Sequence, residues 1–113
     1  MRIDAPIQKT LGAIGLCAKA RALVIGTPMV CEALRGRKKP LVVLSASDNS
    51  ENTAKKLSDK CAYAGVELVV IDAVGVTLGA AVGKRAHVAA VAVTDENLYR
   101  LVSGTLKRNT NAD

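Results

Sequence analysis

The chain has 113 residues, a formal net charge of +6 and a pI near 9.5, and half of its residues are hydrophobic although it has no Phe or Trp. This length predicts one domain, residues 1–113, that buries a core without help from disulfides. No apolar run approaches the length needed to cross a bilayer, which argues against a membrane protein.

The positive charge is concentrated in the first half of the chain. Residues 1–60 contain 11 Lys and Arg against 5 Asp and Glu, whereas residues 61–113 contain 5 of each. Such an excess favours polyanions through release of their counterions, so nucleic acid is the first partner to consider. Because Tyr63 and Tyr99 are the only aromatic residues, we expect recognition of a folded shape rather than stacking of many bases.

Apolar spacing predicts helices and strands that alternate along the chain. The expected helices are 4–20, 28–35, one that Asp48 caps and that runs to 64, 74–82, and one that follows Thr94 or Asp95. The expected strands are 23–25, 41–44, 68–71 and 88–93, and residues 103–113 are expected to be a polar tail. This order predicts an α/β fold with helices on both faces of a four-stranded sheet, but it does not determine the order of the strands.

The junction between the first strand and the second helix is a candidate anion site. Thr27 is the expected N-cap and Pro28 the first helical residue, because proline has no N–H to leave unpaired. Gly26 lets the backbone turn sharply before them. The N–H groups of this helix end would then be available to a phosphate, although many such junctions bind nothing.

Three loops could form a crevice at one edge of the sheet. They are residues 26–29, 45–50 and 83–87. The third loop precedes its strand, so it joins the others only if the fourth strand runs opposite to them, which makes the sheet mixed. Asp48 with Glu51 resembles a capping box, and the glycine row Gly75, Gly79 and Gly83 predicts close approach of another backbone.

The residue types that usually act as catalytic acids, bases or nucleophiles are not arranged here as an enzyme requires. His87 is the only histidine and follows Lys84 and Arg85, which suits a nucleic-acid contact or a plain surface position. The chain has no paired carboxylates, nucleophile elbow or phosphate-binding loop. The cysteines, at 17, 31 and 61, lack metal spacing and are expected to be free and buried in a reducing cytoplasm. We therefore expect no enzyme, no cofactor and no metal.

Four segments in order resemble the ribosomal L7Ae/L30e/S12e/Gadd family, and most closely its bacterial YlxQ-like subgroup. They are Gly26-x5-Glu-Ala-Leu-Arg-x5-Leu-Val-Val-Leu, Asp48-x-Ser-x-Asn-Thr-Ala-Lys-Lys-Leu-x-Asp-Lys-Cys, Leu78-Gly-x3-Gly-Lys and Val91-Ala-Val-Thr-Asp. The resemblance covers roughly residues 8–103. It implies a three-layer α-β-α sandwich that binds structured RNA, characteristically the kink-turn, a duplex bent at a bulge beside sheared G·A pairs.

The resemblance also assigns positions. In the family an Asn, a Glu and a Lys at the start of the second helix read the guanines and the backbone, and a second loop covers the extruded nucleotide. In an ungapped alignment this chain has Pro28, Met29 and Glu32 at those three positions, and only Gly26 matches. The second loop corresponds to residues 84–87, and Asp48 matches a family loop Asp if one inserted residue is allowed.

The leading hypothesis is a monomeric, cytoplasmic RNA-binding protein of ribosomal type, whose partner is structured RNA such as ribosomal RNA. The alternatives are a protein-interaction adaptor on the same fold and a small-molecule role at the sheet crevice. The candidate RNA-binding residues are Gly26, Thr27, Pro28, Met29, Glu32, Arg35, Arg37, Lys38, Lys39, Asp48, Lys84, Arg85, Ala86 and His87.

Overall fold

A computed structural model describes residues 4–107 and contains five helices and four strands within that range. The helices are Asp4–Lys19 (α1), Thr27–Arg35 (α2), Glu51–Ala64 (α3), Gly75–Ala81 (α4) and Glu96–Lys107 (α5). The strands are Leu23–Ile25 (β1), Val42–Ser45 (β2), Glu67–Val70 (β3) and Ala90–Val93 (β4). The predicted alternation is confirmed, with β2 and β3 displaced by one residue and β4 shorter by two at its start.

The four strands form one mixed sheet in the order β1-β4-β2-β3. Strand β4 is antiparallel to both of its neighbours, and β3 is parallel to β2. The carboxyl ends of β1, β2 and β3 therefore lie at the same edge as the start of β4, as the crevice hypothesis required. We call the segments at this edge, residues 26–29, 46–50, 71–75 and 83–89, the loop edge.

Side chains alternate between the two faces of the sheet and build two separate cores. Leu44 and Val91 face a cluster that includes residues of α1, α4 and α5. Val43 and Ala92 face a second cluster with α2 and α3. The arrangement is a three-layer α-β-α sandwich, which confirms the expected fold class.

Two predicted helix ends differ from the structure by more than one residue. Helix α3 is capped by Ser50, whose hydroxyl accepts the Thr53 N–H at 3.2 Å, and not by Asp48. Helix α5, whose first turn is capped by Asp95, continues to Lys107, so residues 103–107 are not part of a tail. The reason is packing, because Leu106 lies against the first core cluster and Thr105 is hydrogen-bonded to Thr10 at 2.7 Å. Residues 108–113 lie outside the described residues.

The three cysteines are free and buried. Burial raises the pKa of the Cys17 and Cys61 thiols, which keeps them protonated and poorly nucleophilic. Within residues 4–107, no three His, Cys, Asp or Glu side chains are grouped so that they could hold a metal ion. The helices in the same range are also too short or too polar to cross a membrane.

Candidate functional site

The start of α2 presents exposed side chains on a backbone platform. The helix begins at Thr27, one residue earlier than predicted, and Gly26 is the N-cap. Gly26 has φ 98° and ψ 147°, a conformation that L side chains rarely adopt, and its carbonyl accepts the Val30 N–H at 2.9 Å. No side chain caps this end and its first turn carries no acidic residue. Since Pro28 and Met29 are both exposed, the N-terminal end of α2 is accessible to an anion.

The loop of residues 83–87 is packed onto the glycine face of α4. A Cβ at Gly79 would collide with the Ala86 carbonyl oxygen, and a Cβ at Gly75 would collide with the His87 ring. Two backbone bonds complete the contact, from Lys84 N–H to the Gly79 carbonyl at 2.8 Å and from Val88 N–H to the Gly75 carbonyl at 3.0 Å. The predicted close approach of another backbone is confirmed at Gly79, where that backbone is this loop; Gly75 instead meets the His87 side chain, and a Cβ at Gly83 would meet no atom within 4 Å.

Asp48 ties the loop after β2 to the start of α4. Its Oδ1 accepts the Gly75 N–H at 2.8 Å, and His87 Nε2 lies 3.5 Å from the same oxygen. The hydrogen bond from Gly75 is the main reason that the pKa of the Asp48 carboxyl is lowered. Asp48 therefore accepts a backbone N–H at the start of α4, where the N-cap residue is Val74, and it does not cap α3. The same carboxylate lies beside His87 at the loop edge.

Residues 89 and 90 connect the two halves of the loop edge. The Ala90 carbonyl accepts the Gly26 N–H at 2.9 Å, and the Ala89 carbonyl accepts from the Ala46 N–H at 2.9 Å and from Asn49 Nδ2 at 3.0 Å. The α2 junction, the loop after β2 and the chain leading into β4 are thus one hydrogen-bonded unit. Within this unit Asn49 Oδ1 is buried without a partner among the described residues.

The structure divides the predicted site residues into two groups. One group lies at the loop edge and consists of Gly26, Thr27, Pro28, Met29, Asp48, Lys84, Arg85, Ala86 and His87. Arg35, Arg37, Lys38 and Lys39 lie at the other end of α2, where Leu41 N–H pairs with the Val93 carbonyl at the end of β4. Glu32 lies between the two groups on the exposed side of α2. We call residues 35–41 and the end of α3 beside them the opposite edge.

Sequence reasoning missed two features of these surfaces. Gly75 and Gly79 set the position of the 83–87 loop, and a glycine row followed by basic residues was the available signal. Lys60 and Tyr63 line a groove at the opposite edge with Arg35 and Lys39. The sequence identifies Tyr63 only as one of two aromatic residues and does not single out Lys60, because it does not show that α3 lies beside α2.

The protein is an α-β-α sandwich in which the start of α2 and the 83–87 loop, packed on the glycines of α4, lie at the same edge of the sheet. A model of the Ribosomal protein L7Ae/L30e/S12e/Gadd45 family matches residues 8–103. The chain belongs to this family. Two curated relatives are both called RNA-binding protein YlxQ. The one from Bacillus subtilis is 42% identical over 83 residues, covering 74% of this chain and 80% of the relative. The one from Enterococcus faecium is 39% identical over 56 residues, covering 50% and 53%.

Solved structures share the fold. A protein of unknown function from Bacillus halodurans has a TM-score of 0.76 and 31% identity, with 86% of this chain and 95% of that chain covered. The Giardia lamblia 15.5kD RNA binding protein has a TM-score of 0.78 and 19% identity, with 93% and 88% covered. At 19% identity, the similarity to the Giardia lamblia protein is evidence for a shared fold only.

Proposed function

We propose that the protein binds structured RNA, recognising a bent or kinked shape through backbone contacts more than through base edges. The observation that carries the proposal is membership of the family over residues 8–103, together with a loop edge that joins the start of α2 to the basic 84–87 loop. The relatives that match over most of their length are named for RNA binding. We infer a cytoplasmic monomer whose RNA partner is ribosomal or of similar structure.

In this proposal two parts of the loop edge, the start of α2 and the 84–87 loop, contact different parts of the RNA. The uncapped start of α2 faces the phosphates of a widened groove, because its N–H groups carry partial positive charge. The exposed side chains of the second loop contact the neighbouring strand of the RNA; they are Lys84, Arg85 and His87. The side chains of Pro28 and Met29 have no donor for a base edge, and the negative charge of Glu32 repels a phosphate. We therefore expect an affinity below that of a protein with the full Asn, Glu and Lys set.

Binding accounts for these residues better than catalysis does. Asp48 and His87 are close enough to resemble an acid-base pair, but Asp48 Oδ1 already accepts the Gly75 N–H. A nucleophile beside the base would be the mark of an enzyme, and the buried cysteines with raised pKa values do not supply one.

The first experiment compares a kink-turn RNA with a plain duplex of equal length across a salt series. We expect the kink-turn to bind more tightly at every salt concentration. Each phosphate contact adds about 0.9 to the salt slope whatever the sequence. Equal, weak affinities with the same slope would leave only nonspecific attraction and would contradict the proposal.

A triple variant tests the loop edge itself. Pro28→Asn, Met29→Glu and Glu32→Lys together restore the family's base-reading set, and each good set of base contacts is worth about 1–3 kcal/mol. Kink-turn binding should strengthen tenfold or more, while duplex binding changes little. The matched control is Glu32→Gln, which makes the same net change in charge without restoring base contacts. No gain beyond that control would mean that the start of α2 is not the RNA site.

The second candidate is a protein-interaction adaptor. It is favoured by Met29, whose side chain is 55% exposed beside Pro28 at the helix start. An apolar pair in that position suits a protein partner. Recovery of one stoichiometric protein after nuclease treatment, with no RNA enriched, would support the adaptor and contradict RNA binding.

A further inference from the structure

Tyr63 is the most exposed large hydrophobic residue among the described residues. It lies near the end of α3 with 96% of its surface accessible, whereas Leu57 and Cys61 supply the buried face of the same helix. A buried tyrosine removes some 150–250 Å² from water, so an aromatic ring left in solvent contributes almost nothing to the core. The ring is therefore available as a contact surface.

Tyr63 borders a groove between α2 and α3 at the opposite edge. The groove has a volume of about 560 Å³, and Leu34 and Ala64 supply its apolar lining. We call it the Tyr63 groove. It lies at the far end of α2 from Gly26, and α2, with nine residues, is about 13 Å long. The Tyr63 groove is thus a surface separate from the loop edge.

The groove is electropositive. Arg35, Lys39 and Lys60 line it, and Asp59 is the one carboxylate among the lining residues. Asp59 Oδ2 is already paired with Lys55 Nζ at 3.2 Å, and Lys39 Nζ donates to the Gly36 carbonyl at 2.8 Å, which holds its charge at the end of α2. The charge that remains beside Tyr63 is positive, and it favours an anionic ligand. The exposed tyrosine ring favours a ligand that also has a flat group to stack on it.

We propose that the Tyr63 groove binds one unpaired nucleotide of the RNA, with its base stacked on Tyr63 and the adjoining phosphates on Arg35, Lys39 and Lys60. Stacking on an aromatic side chain tolerates any base, and cations beside it contact the backbone. A protein ligand fits less well, because lysine is depleted from the cores of protein interfaces. The inference extends the proposed function by naming the RNA class, a structured RNA with a single-stranded extension.

The test uses the full chain and one kink-turn RNA in three forms: blunt, extended by unpaired uridines at the 5′ end, and extended by them at the 3′ end. Affinities are measured by fluorescence anisotropy at one salt concentration. We expect one of the two extensions to strengthen binding about tenfold, as a single base stacked on an aromatic would. Tyr63→Ala should abolish this gain and Tyr63→Phe should keep it. Lys60→Gln should reduce it.

The controls are exposed residues on the other side of the sheet. Leu101→Ala removes an exposed apolar side chain from α5, and Lys19→Gln removes an exposed cation from α1. Both should leave the gain unchanged. Because Tyr63 is almost wholly in solvent, the melting temperature of Tyr63→Ala should equal that of the parent.

The outcomes separate this inference from the proposed function. If the blunt RNA binds and neither extension adds affinity, or the gain survives in Tyr63→Ala, the nucleotide site is wrong and the loop edge stands. If a uridine oligomer binds in a Tyr63-dependent way while the blunt kink-turn RNA does not bind at all, the nucleotide site stands and the proposed function is wrong. If Tyr63→Ala loses a stoichiometric protein partner with no change in RNA affinity, the groove belongs to a protein and the inference is overturned.

Discussion

Asp48 connects two loops through a single carboxylate oxygen. It follows β2 along the chain, but its partners are the Gly75 N–H at 2.8 Å and His87 Nε2 at 3.5 Å. A charged acceptor strengthens a hydrogen bond to a backbone N–H at a helix start. The carboxylate therefore stabilises both α4 and the loop that α4 supports.

This arrangement makes a pH-dependent contribution to stability. The pKa of Asp48 in the folded protein is lowered, mainly by the Gly75 hydrogen bond, and so lies below the unfolded value of about 3.9. A lowered folded pKa stabilises the protein above about pH 4, and the contribution is lost as the pH falls through the folded value. Asp48→Asn should therefore lower the melting temperature at neutral pH, and the difference from the parent should shrink towards zero in acid.

The check is a series of thermal melts from about pH 7 down to about pH 2. Asp59→Asn is the matched control, because the Asp59 carboxylate makes only an exposed pair with Lys55, which is worth about 0.3–0.5 kcal/mol. A melting-temperature difference for Asp48→Asn that stayed constant across this range would show that the charge of Asp48 is not involved.

Single residues also show where sequence reasoning stops. The pair Asp48 and Glu51 has the spacing of a capping box, yet Ser50 is the cap of α3. A cap depends on where the chain enters the helix, and Asp48 is drawn to α4 by a contact 27 residues away. The prediction that Thr27 is the N-cap of α2 is wrong for a similar reason, because Gly26 occupies the N-cap position with a positive φ. Local patterns identify the helices and leave their end contacts undecided.

At the scale of elements, α4 is a short helix with one face packed in the core and the other packed against a loop. Leu78 is fully buried in the first core cluster, and Gly15 of α1 would place a Cβ only 3.0 Å from the Ala81 carbonyl oxygen. The glycine face instead receives the 83–87 loop. The apolar and glycine spacing predicted both the helix and the close approach. It could not identify the approaching segment, because that depends on the turn after α4.

Gly79→Ala tests how tightly α4 holds the loop. The new Cβ would meet the Ala86 carbonyl oxygen, and a backbone atom cannot rotate away. Overpacking of this kind costs about 1–3 kcal/mol. We expect a lower free energy of unfolding by urea denaturation and a weaker affinity for the kink-turn RNA, since Lys84 N–H is bonded to Gly79.

Gly104→Ala is the matched control for this change. Gly104 is also helical, but a Cβ there meets no atom within 4 Å. Alanine is the better helix former by about 0.5–1 kcal/mol, so this variant should be more stable than the parent with unchanged RNA affinity. If Gly79→Ala behaved like Gly104→Ala, the loop would not be packed on α4 as described.

At the scale of the whole molecule, the antiparallel strand β4 decides which residues meet. It lies between β1 and β2, so it brings the 83–87 loop beside the ends of both. The layers and the strand count follow from apolar runs and alternation. The strand order does not, because pairing is set by contacts between distant parts of the chain. The sequence could therefore suggest the loop edge only on an assumed strand direction. It also could not show that four of the candidate RNA-binding residues, Arg35, Arg37, Lys38 and Lys39, lie at the opposite edge.

The same geometry predicts how charge should act in RNA binding. The two edges present separate cations at the two ends of α2, and the layer formed by α1 and α5 presents others. If binding depends on place rather than on net charge, equal losses of charge must have unequal effects. Each phosphate contact contributes about 0.9 to the slope of log K against log salt.

Three double variants that each remove two charges make the comparison. Lys84→Gln with Arg85→Gln removes the lysine and the arginine of the loop edge, and Arg35→Gln with Lys60→Gln removes two of the three cations that line the Tyr63 groove. Lys19→Gln with Arg100→Gln is the control on the α1 and α5 layer, where Arg100 lies 3.6 Å from Glu96 in an exposed pair. On the extended kink-turn RNA, the first variant should lower the slope by up to about 1.8. The second should lower it only when the extension is present, because Arg35 and Lys60 line the Tyr63 groove. Equal losses for all three variants would mean that net charge alone drives association, because no single surface of the molecule would then be distinguished from another.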